Sequence, residues 1–245
     1  IGLLMPVLPD ILEELTGGSI SQTAKVAMWL TVVYAGMQFL FGPLIGNLSD
    51  RFGRRPVLLI SIFALGLDYI FLAIAPTVLL LFVGRIIAGI AGATQSTAMA
   101  VAADLSDEDK RAQTMGLVFA GFGLGFIIGP ALGGLLGWLG TEQPDFLGPQ
   151  LQAFFGQLGN RAPMYLAALL SLANFAFGFF VFKETLPQKN RRPFSLIRAN
   201  PLGALLAIRH LRGIFLLLTV VFLFGIAQVV YPAVWSFFAR AAVGW

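Results

Sequence analysis

Apolar residues along this chain gather into long runs instead of alternating with polar ones. They occupy roughly 1–15, 26–48, 57–75, 77–102, 113–137, 163–182 and 213–238, separated by polar or Gly/Pro-marked breaks. Six of the runs approach or exceed the ~18–20 residues that a helix needs to cross a bilayer. The first run would rise only ~22 Å as a helix, short of a ~30 Å hydrocarbon core, and predicts the outer part of a first helix that begins before residue 1. Pro56, Pro76 and Pro163 stand at or just before the start of a run, where a missing N–H costs nothing. The pattern predicts an all-α polytopic membrane protein: a six-helix bundle with an incomplete first helix, followed by a seventh transmembrane helix, and truncated at both ends. The expected division is an N-terminal bundle over 1–183, a basic cytoplasmic linker over 184–212 and the first helix of a second bundle over 213–245.

Composition agrees with the membrane class. Of the 245 residues, 58% are hydrophobic and 11% charged, and the mean hydropathy is +0.84, far from a soluble domain. The absence of cysteine excludes a disulfide framework and a thiolate metal site. The opening "IGLLMPVLPDILEEL" has neither a basic n-region nor a small-residue cleavage site and does not read as a signal peptide. A net charge of +4 admits nucleic acid or lipid as partner, but in a membrane protein the placement of the charges matters more than their sum. One side of the expected bundle collects Arg51, Arg54, Arg55, Lys110, Arg111, Lys183, Lys189, Arg191, Arg192, Arg198, Arg209 and Arg212. The other holds Lys25, Arg161 and Arg240, while Arg85 lies within a helix. The bias makes the first side cytoplasmic, with a cytoplasmic N-terminus.

Two connections carry patterns of their own. In 138–162, Leu151, Phe154, Phe155 and Leu158 follow i, i+3, i+4, i+7 spacing. Either a short amphipathic helix rests at the interface there, or an ordinary loop packs its apolar residues on helix ends. The segment 183–212 carries seven basic residues and predicts a surface helix around "LGALLAIRHLR", in which His210 reads as a surface residue.

Polar groups inside a spanning helix require a partner or a wet cavity. Asp68, in "LGLDYIFLAIA", lies ~10 Å below the outer end of the third helix, and Arg85, in "LFVGRIIAGIAGAT", lies ~12 Å below the start of the fourth. Opposite charges at nearly one depth on consecutive antiparallel helices suggest a pair or two walls of one cavity. A purely structural ion pair is one possibility. The other is that Asp68 handles a proton or a cationic substrate group: burial favours its neutral form and Arg85 its charged form, so a substrate could tip the balance. Gln38, in "YAGMQFLFG", adds a hydrogen-bonding group to the path or bonds between helices.

The fifth helix contains Gly121, Gly125, Gly129, Gly133 and Gly137 at four-residue spacing, with Gly123, Gly134 and Pro130 between. A face without side chains admits close backbone approach, and Pro130 invites a bend. The seam is either static packing or a surface that shifts during transport.

The densest charge is in the hinge "GNLSDRFGRRP", residues 46–56. Gly53 permits the reversal, Pro56 starts a helix and Arg51, Arg54 and Arg55 hold the loop inside. Asp50 can reach Arg54 at i+4. Asp104, at the inner end of the fourth helix, is expected within ~8 Å of Arg54 or Arg51, about a Debye length, forming an Asp50–Arg54–Asp104 latch. Gly46 would admit a helix of the second half.

These motifs resemble a known family. The hinge matches the inner-loop signature of the major facilitator superfamily, and "GFIIGPALGG" is similar to the signature of its antiporter branch. Together with "SDRFGRRPVLL", "LDYIFLAIA" and "GRIIAGIAGAT", they resemble its proton-coupled tetracycline-efflux group across most of 1–137. The likeness is looser over 163–245 and fails over 138–162. The resemblance implies twelve helices in two halves, the second half missing here, with drug and protons exchanged through a central cavity of the bacterial inner membrane. It implies that Asp50, Arg51, Arg54 and Arg55 serve transport, and that Asp68, Arg85 and Gln38 lie on the substrate or proton path. It also implies that no cofactor is bound, that energy comes from the proton gradient, and that a divalent cation travels with the drug. No Walker-type loop, no Ser/His/Asp set and no metal-ligand set is present in the sequence, so neither an ATP-driven pump nor an enzyme is expected, and nucleic acid is not an expected partner. Export of another drug or metabolite, a regulator that has lost transport, and a transport-inactive fragment remain as alternatives.

Overall fold

The computed structural model describes residues 2–203 and 213–243, and the described residues are helical wherever they are regular. The helices are α1 (Leu8–Thr16), α2 (Ile20–Phe52), α3 (Arg54–Ile74), α4 (Val78–Ala91), α5 (Gln95–Asp104), α6 (Arg111–Glu142), α7 (Gly148–Leu158), α8 (Ala162–Val181) and α9 (Ile214–Val243). Five stretches are long and apolar enough to cross a membrane: Ile20–Phe52, Arg54–Ile74, Val78–Asp104, Glu108–Glu142 and Asp145–Val181. In α9 the corresponding apolar part is Ile214–Ala227. His210, and the surface helix expected around it, lie outside the described residues.

Helix boundaries follow local chemistry more closely than they follow hydropathy. The second apolar run predicts 26–48, yet α2 extends well beyond it at both ends. Ser19 and Gln22 form a capping box, in which the Ser19 N–H donates to Gln22 Oε1 at 3.2 Å, and the helix stops only at Gly53. α3 ends at Ile74, ahead of Pro76, whose ring disfavours helical geometry in the residue before it. Thr77 then caps α4 by accepting from the Leu80 N–H.

Two expectations need correction. The first run is not one helix over 1–15: Gly2–Leu4 form a 3-10 turn and α1 starts only at Leu8, with Pro9 in its first turn. The fourth run, 77–102, is not one uninterrupted helix either. It breaks at Gly92–Thr94 into α4 and α5, because a carbonyl there is claimed from outside the helix, as described below. In 138–162 the helical alternative is the one observed, as α7, with Leu151 and Phe154 exposed.

α3 packs mainly on α8 and α4, and α2 on α4. Leu12, Leu30, Leu72, Leu81 and Met164 join one buried apolar core, to which Phe237 of α9 contributes. The core lies toward the end opposite the basic loops. That end is tied by Arg161, whose Nη1 donates to the carbonyls of Ala73 (3.0 Å) and Ala75 (2.8 Å), while its Nη2 lies 3.8 Å from Glu14. From the sequence Arg161 is only a loop charge; in the fold it caps the buried terminal carbonyls of α3.

The glycine face of α6 divides in two. A methyl group added at Gly133 would strike the Leu3 carbonyl, and one at Gly129 would come within 3.0 Å of Gly2. The 3-10 turn is therefore seated on the outer half of the face. At Gly121, Gly123 and Gly125 nothing lies within 4 Å of such a methyl. Gly134 and Pro130 sit beside Pro6 and Gly2 respectively.

Candidate functional site

Two clusters of polar groups are built by this packing, one inside the spanning helices and one at the basic end.

Within the spans, Asp68 of α3 and Arg85 of α4 face each other, Oδ2 to Nη2, at 3.8 Å. The Asp68 side chain is fully buried, and neither carboxylate oxygen has a hydrogen-bond partner. At 3.8 Å the contact is Coulombic and too long for a hydrogen bond. Both oxygens thus keep their lone pairs open to a proton or a ligand group, which a tight bidentate pair would have consumed. Arg85 also stacks over the Tyr34 ring of α2, 5.7 Å from its centroid. Gly84 makes the approach possible, since a methyl there would lie 3.1 Å from Asp68 Oδ1 and 2.6 Å from Leu72 Cδ2.

Gln38, one turn after Tyr34, donates from Nε2 to the Tyr34 hydroxyl at 2.9 Å and to the Gly92 carbonyl at 3.2 Å. That second bond crosses from α2 to the break between α4 and α5. Gly92 is poorly held by propensity, and its carbonyl is satisfied by a side chain instead of a helical N–H. Gln38 therefore sits with the ion pair and also braces the break. Tyr34 stands outside the sequence motifs, and its i, i+4 spacing to Gln38 is the one signal that points to it.

At the basic end Arg54 is buried and central. Its Nη1 pairs with Asp50 and donates to Ser49 Oγ at 2.8 Å, and its Nε reaches Asp104 Oδ2 at 3.4 Å. The three charges expected to cluster are brought together. Arg51 lies exposed over the Phe52 ring, and Arg55 Nη2 donates to the Phe179 carbonyl at 2.6 Å. The close neighbour of Gly46 is Ser96 of α5, 3.1 Å from a methyl placed there, so the approach it permits is filled from within this chain.

Glu184 is not among the residues that the sequence motifs single out. It accepts from the backbone N–H groups of Arg54 (2.9 Å), Arg55 (3.3 Å) and Leu186 (2.9 Å), with Arg191 at 3.9 Å. Desolvation pushes its carboxyl up, but those N–H groups and the guanidinium outweigh it and hold the carboxyl below its ordinary value of 4.5. Glu184 thereby caps the N-terminus of α3 from a segment 130 residues away. Gly53 is required on two counts, with φ at +110° and a would-be methyl striking Glu184 and lying 2.9 Å from Arg191. The signal available was that Glu184 is the single acidic residue in 183–212. The same segment continues along the hinge: Asn47 Nδ2 donates to the Ser195 carbonyl at 2.8 Å, Arg192 N–H to the Asp50 carbonyl at 3.0 Å, and Thr185 Oγ1 to Asp104 at 3.3 Å.

A helical polytopic membrane protein with a loosely paired, unsatisfied carboxylate inside its spans has the makings of a transporter more than those of a scaffold. The family model described as Major Facilitator Superfamily matches residues 1–245, and the chain belongs to that superfamily. It is 38% identical over its whole length to the tetracycline resistance protein, class C, of Escherichia coli, covering 56% of that protein. It is 39% identical over 78% of its length to the class B protein of Escherichia coli, covering 42% of it. Multidrug resistance protein 1 of Bacillus subtilis is 33% identical over 60% of the chain and 36% of that protein. The chain spans about half the length of the tetracycline resistance proteins that it matches along its entire length. Among solved structures, the human organic anion transporter MFSD10 (TETRAN) superposes with a TM-score of 0.59 at 27% identity, covering 78% of this chain and 46% of that one.

Proposed function

We propose that this chain supplies the first half, and the opening helix of the second half, of a proton-coupled drug exporter of the bacterial inner membrane, with tetracycline as its substrate. The observation that carries the reading is Asp68, fully buried, 3.8 Å from Arg85 and without a hydrogen bond on either oxygen. A carboxylate so placed takes up a proton in one conformation and gives it up in another as water or substrate reaches Arg85. Tyr34, beneath Arg85, and Gln38, bonded to the Tyr34 hydroxyl, are the groups that would meet the drug. The divalent cation travels as part of the drug chelate, and the proton gradient supplies the energy. The positive-inside bias places the basic end in the cytoplasm, where the Asp50–Arg54–Asp104 cluster latches α2, α3 and α5 together in one of the two access states. Similarity to six tetracycline resistance proteins favours that substrate over the broader range suggested by the multidrug relatives.

The test is the full-length protein expressed in a drug-susceptible bacterium. Resistance to tetracycline is the expected result. Resistance to unrelated drugs without any gain against tetracycline would remove the substrate assignment and leave the fold untouched.

A further inference from the structure

On the outside of the bundle at the basic end, α3 and α8 leave a groove of about 540 Å³ between them. Its walls are Phe52, Ile60, Phe63, Phe175 and Phe179, and at its mouth stand Arg55, Arg191 and Glu184. The aromatic rings form a continuous series, with Phe63 to Phe175 at 5.0 Å and Phe175 to Phe179 at 6.1 Å between centroids. Ile60 and Phe179 stay largely exposed although they line the groove, so it opens along the helix faces that a bilayer would cover.

The charged mouth has unspent capacity. Arg55 uses Nη2 on the Phe179 carbonyl and Arg191 keeps Nη2 near Glu184, yet the Nε–H of each is shielded from water and has no hydrogen-bond partner. A buried donor left unpaired costs stability unless something arrives to accept from it. The Glu184 carboxylate is already occupied by three backbone N–H groups and cancels one of the two arginine charges, leaving one net positive charge at the mouth. Both arginines are partly exposed at the mouth, so the accessible N–H groups of their guanidiniums fit phosphate oxygens, and the apolar walls behind them fit an acyl chain. A soluble anion would leave those walls unused.

We infer that this groove binds an anionic phospholipid, with its phosphate between Arg55 and Arg191 and an acyl chain along Ile60, Phe63 and Phe175. Basic pockets between membrane helices take such headgroups on general electrostatic grounds. Because Glu184 and Arg55 also hold the start of α3, a lipid seated there rests on the same segment that braces the hinge. The inference does not depend on what is transported.

The test adds lipids to the full-length protein in detergent and reads both retained adducts by native mass spectrometry and the thermal midpoint. The probes are phosphatidylglycerol, phosphatidylcholine with the same chains, and glycerol phosphate. Phosphatidylglycerol is expected to stay bound and raise the midpoint, and phosphatidylcholine to be retained about tenfold less. The double variant Arg55→Gln/Arg191→Gln should lose about the same factor for phosphatidylglycerol. Ile60→Trp keeps both arginines, fills the groove and should also displace the lipid, so the inference stays testable if the arginine variant folds poorly. Retention of phosphatidylglycerol by Ile60→Trp at the wild-type level would overturn the site. Equal retention of phosphatidylcholine would overturn the charge requirement, and equal retention of glycerol phosphate would show a soluble-anion site instead.

Discussion

Replacing Gly53 with alanine would push a methyl group into the Glu184 carboxylate at a backbone angle that L-residues rarely adopt. The expected cost is about 1–3 kcal/mol, the scale of a strained backbone position, read as a lower thermal midpoint. Glu184→Gln keeps the shape but gives up the charge at the start of α3, and should cost about 1 kcal/mol, as for loss of a helix cap. Its pH dependence has a definite sign. The folded carboxyl is held below 4.5, so its contribution is complete above that value and drains away as the pH falls through the lowered folded value. Wild type and Glu184→Gln should therefore differ in stability near neutrality and converge in acid. At this scale the sequence shows the members of a site more readily than the bonds between them. Asp50 and Arg54 are legible through i+4 spacing, and Asp104 through its place at a helix end on the same side. Glu184 is not, because its partners are backbone N–H groups that only the fold brings to it.

For the elements, the apolar runs locate each of the five stretches among the described residues that are long and apolar enough to span a membrane, since a bilayer allows few alternatives to a helix of that length. What they miss is set by groups outside the run. The Ser19 capping box lengthens α2, and the bond from Gln38 to Gly92 holds open the break between α4 and α5. Gln38→Leu removes that bond and leaves the Gly92 carbonyl without it. The expected result is a loss of about 1–3 kcal/mol, with faster amide exchange around residues 92–94 as the local readout. The glycine series in α6 is visible at once in the sequence, but its division is not. Gly133→Ala should lower stability because the Leu3 backbone is in the way, whereas Gly121→Ala meets nothing within 4 Å and should leave the fold intact. In the proposed transporter, a loss of transport in Gly121→Ala without loss of stability would mark the open half as the face that moves against the second half.

For the whole molecule, the basic residues sort to one end, and the structure assembles that end into a single network running from Asn47 to Ser195. The proposed sidedness rests on the positive-inside bias. Because these 245 residues contain no cysteine, a cysteine introduced among them is the single labelling site within them. In intact cells a membrane-impermeant thiol reagent should label Gln150→Cys on α7 and spare Asp109→Cys beside α6. The reverse pattern would invert the orientation. The central claim, that a buried carboxylate couples proton and drug movement, is tested most directly by drug uptake into everted membrane vesicles containing the full-length protein. With an imposed proton gradient, wild type should accumulate tetracycline in the presence of a divalent cation, and Asp68→Asn at equal expression should lose this by about 100-fold or more, the scale for removing a group that handles a proton. Proton-driven uptake that persists undiminished in Asp68→Asn would contradict the account.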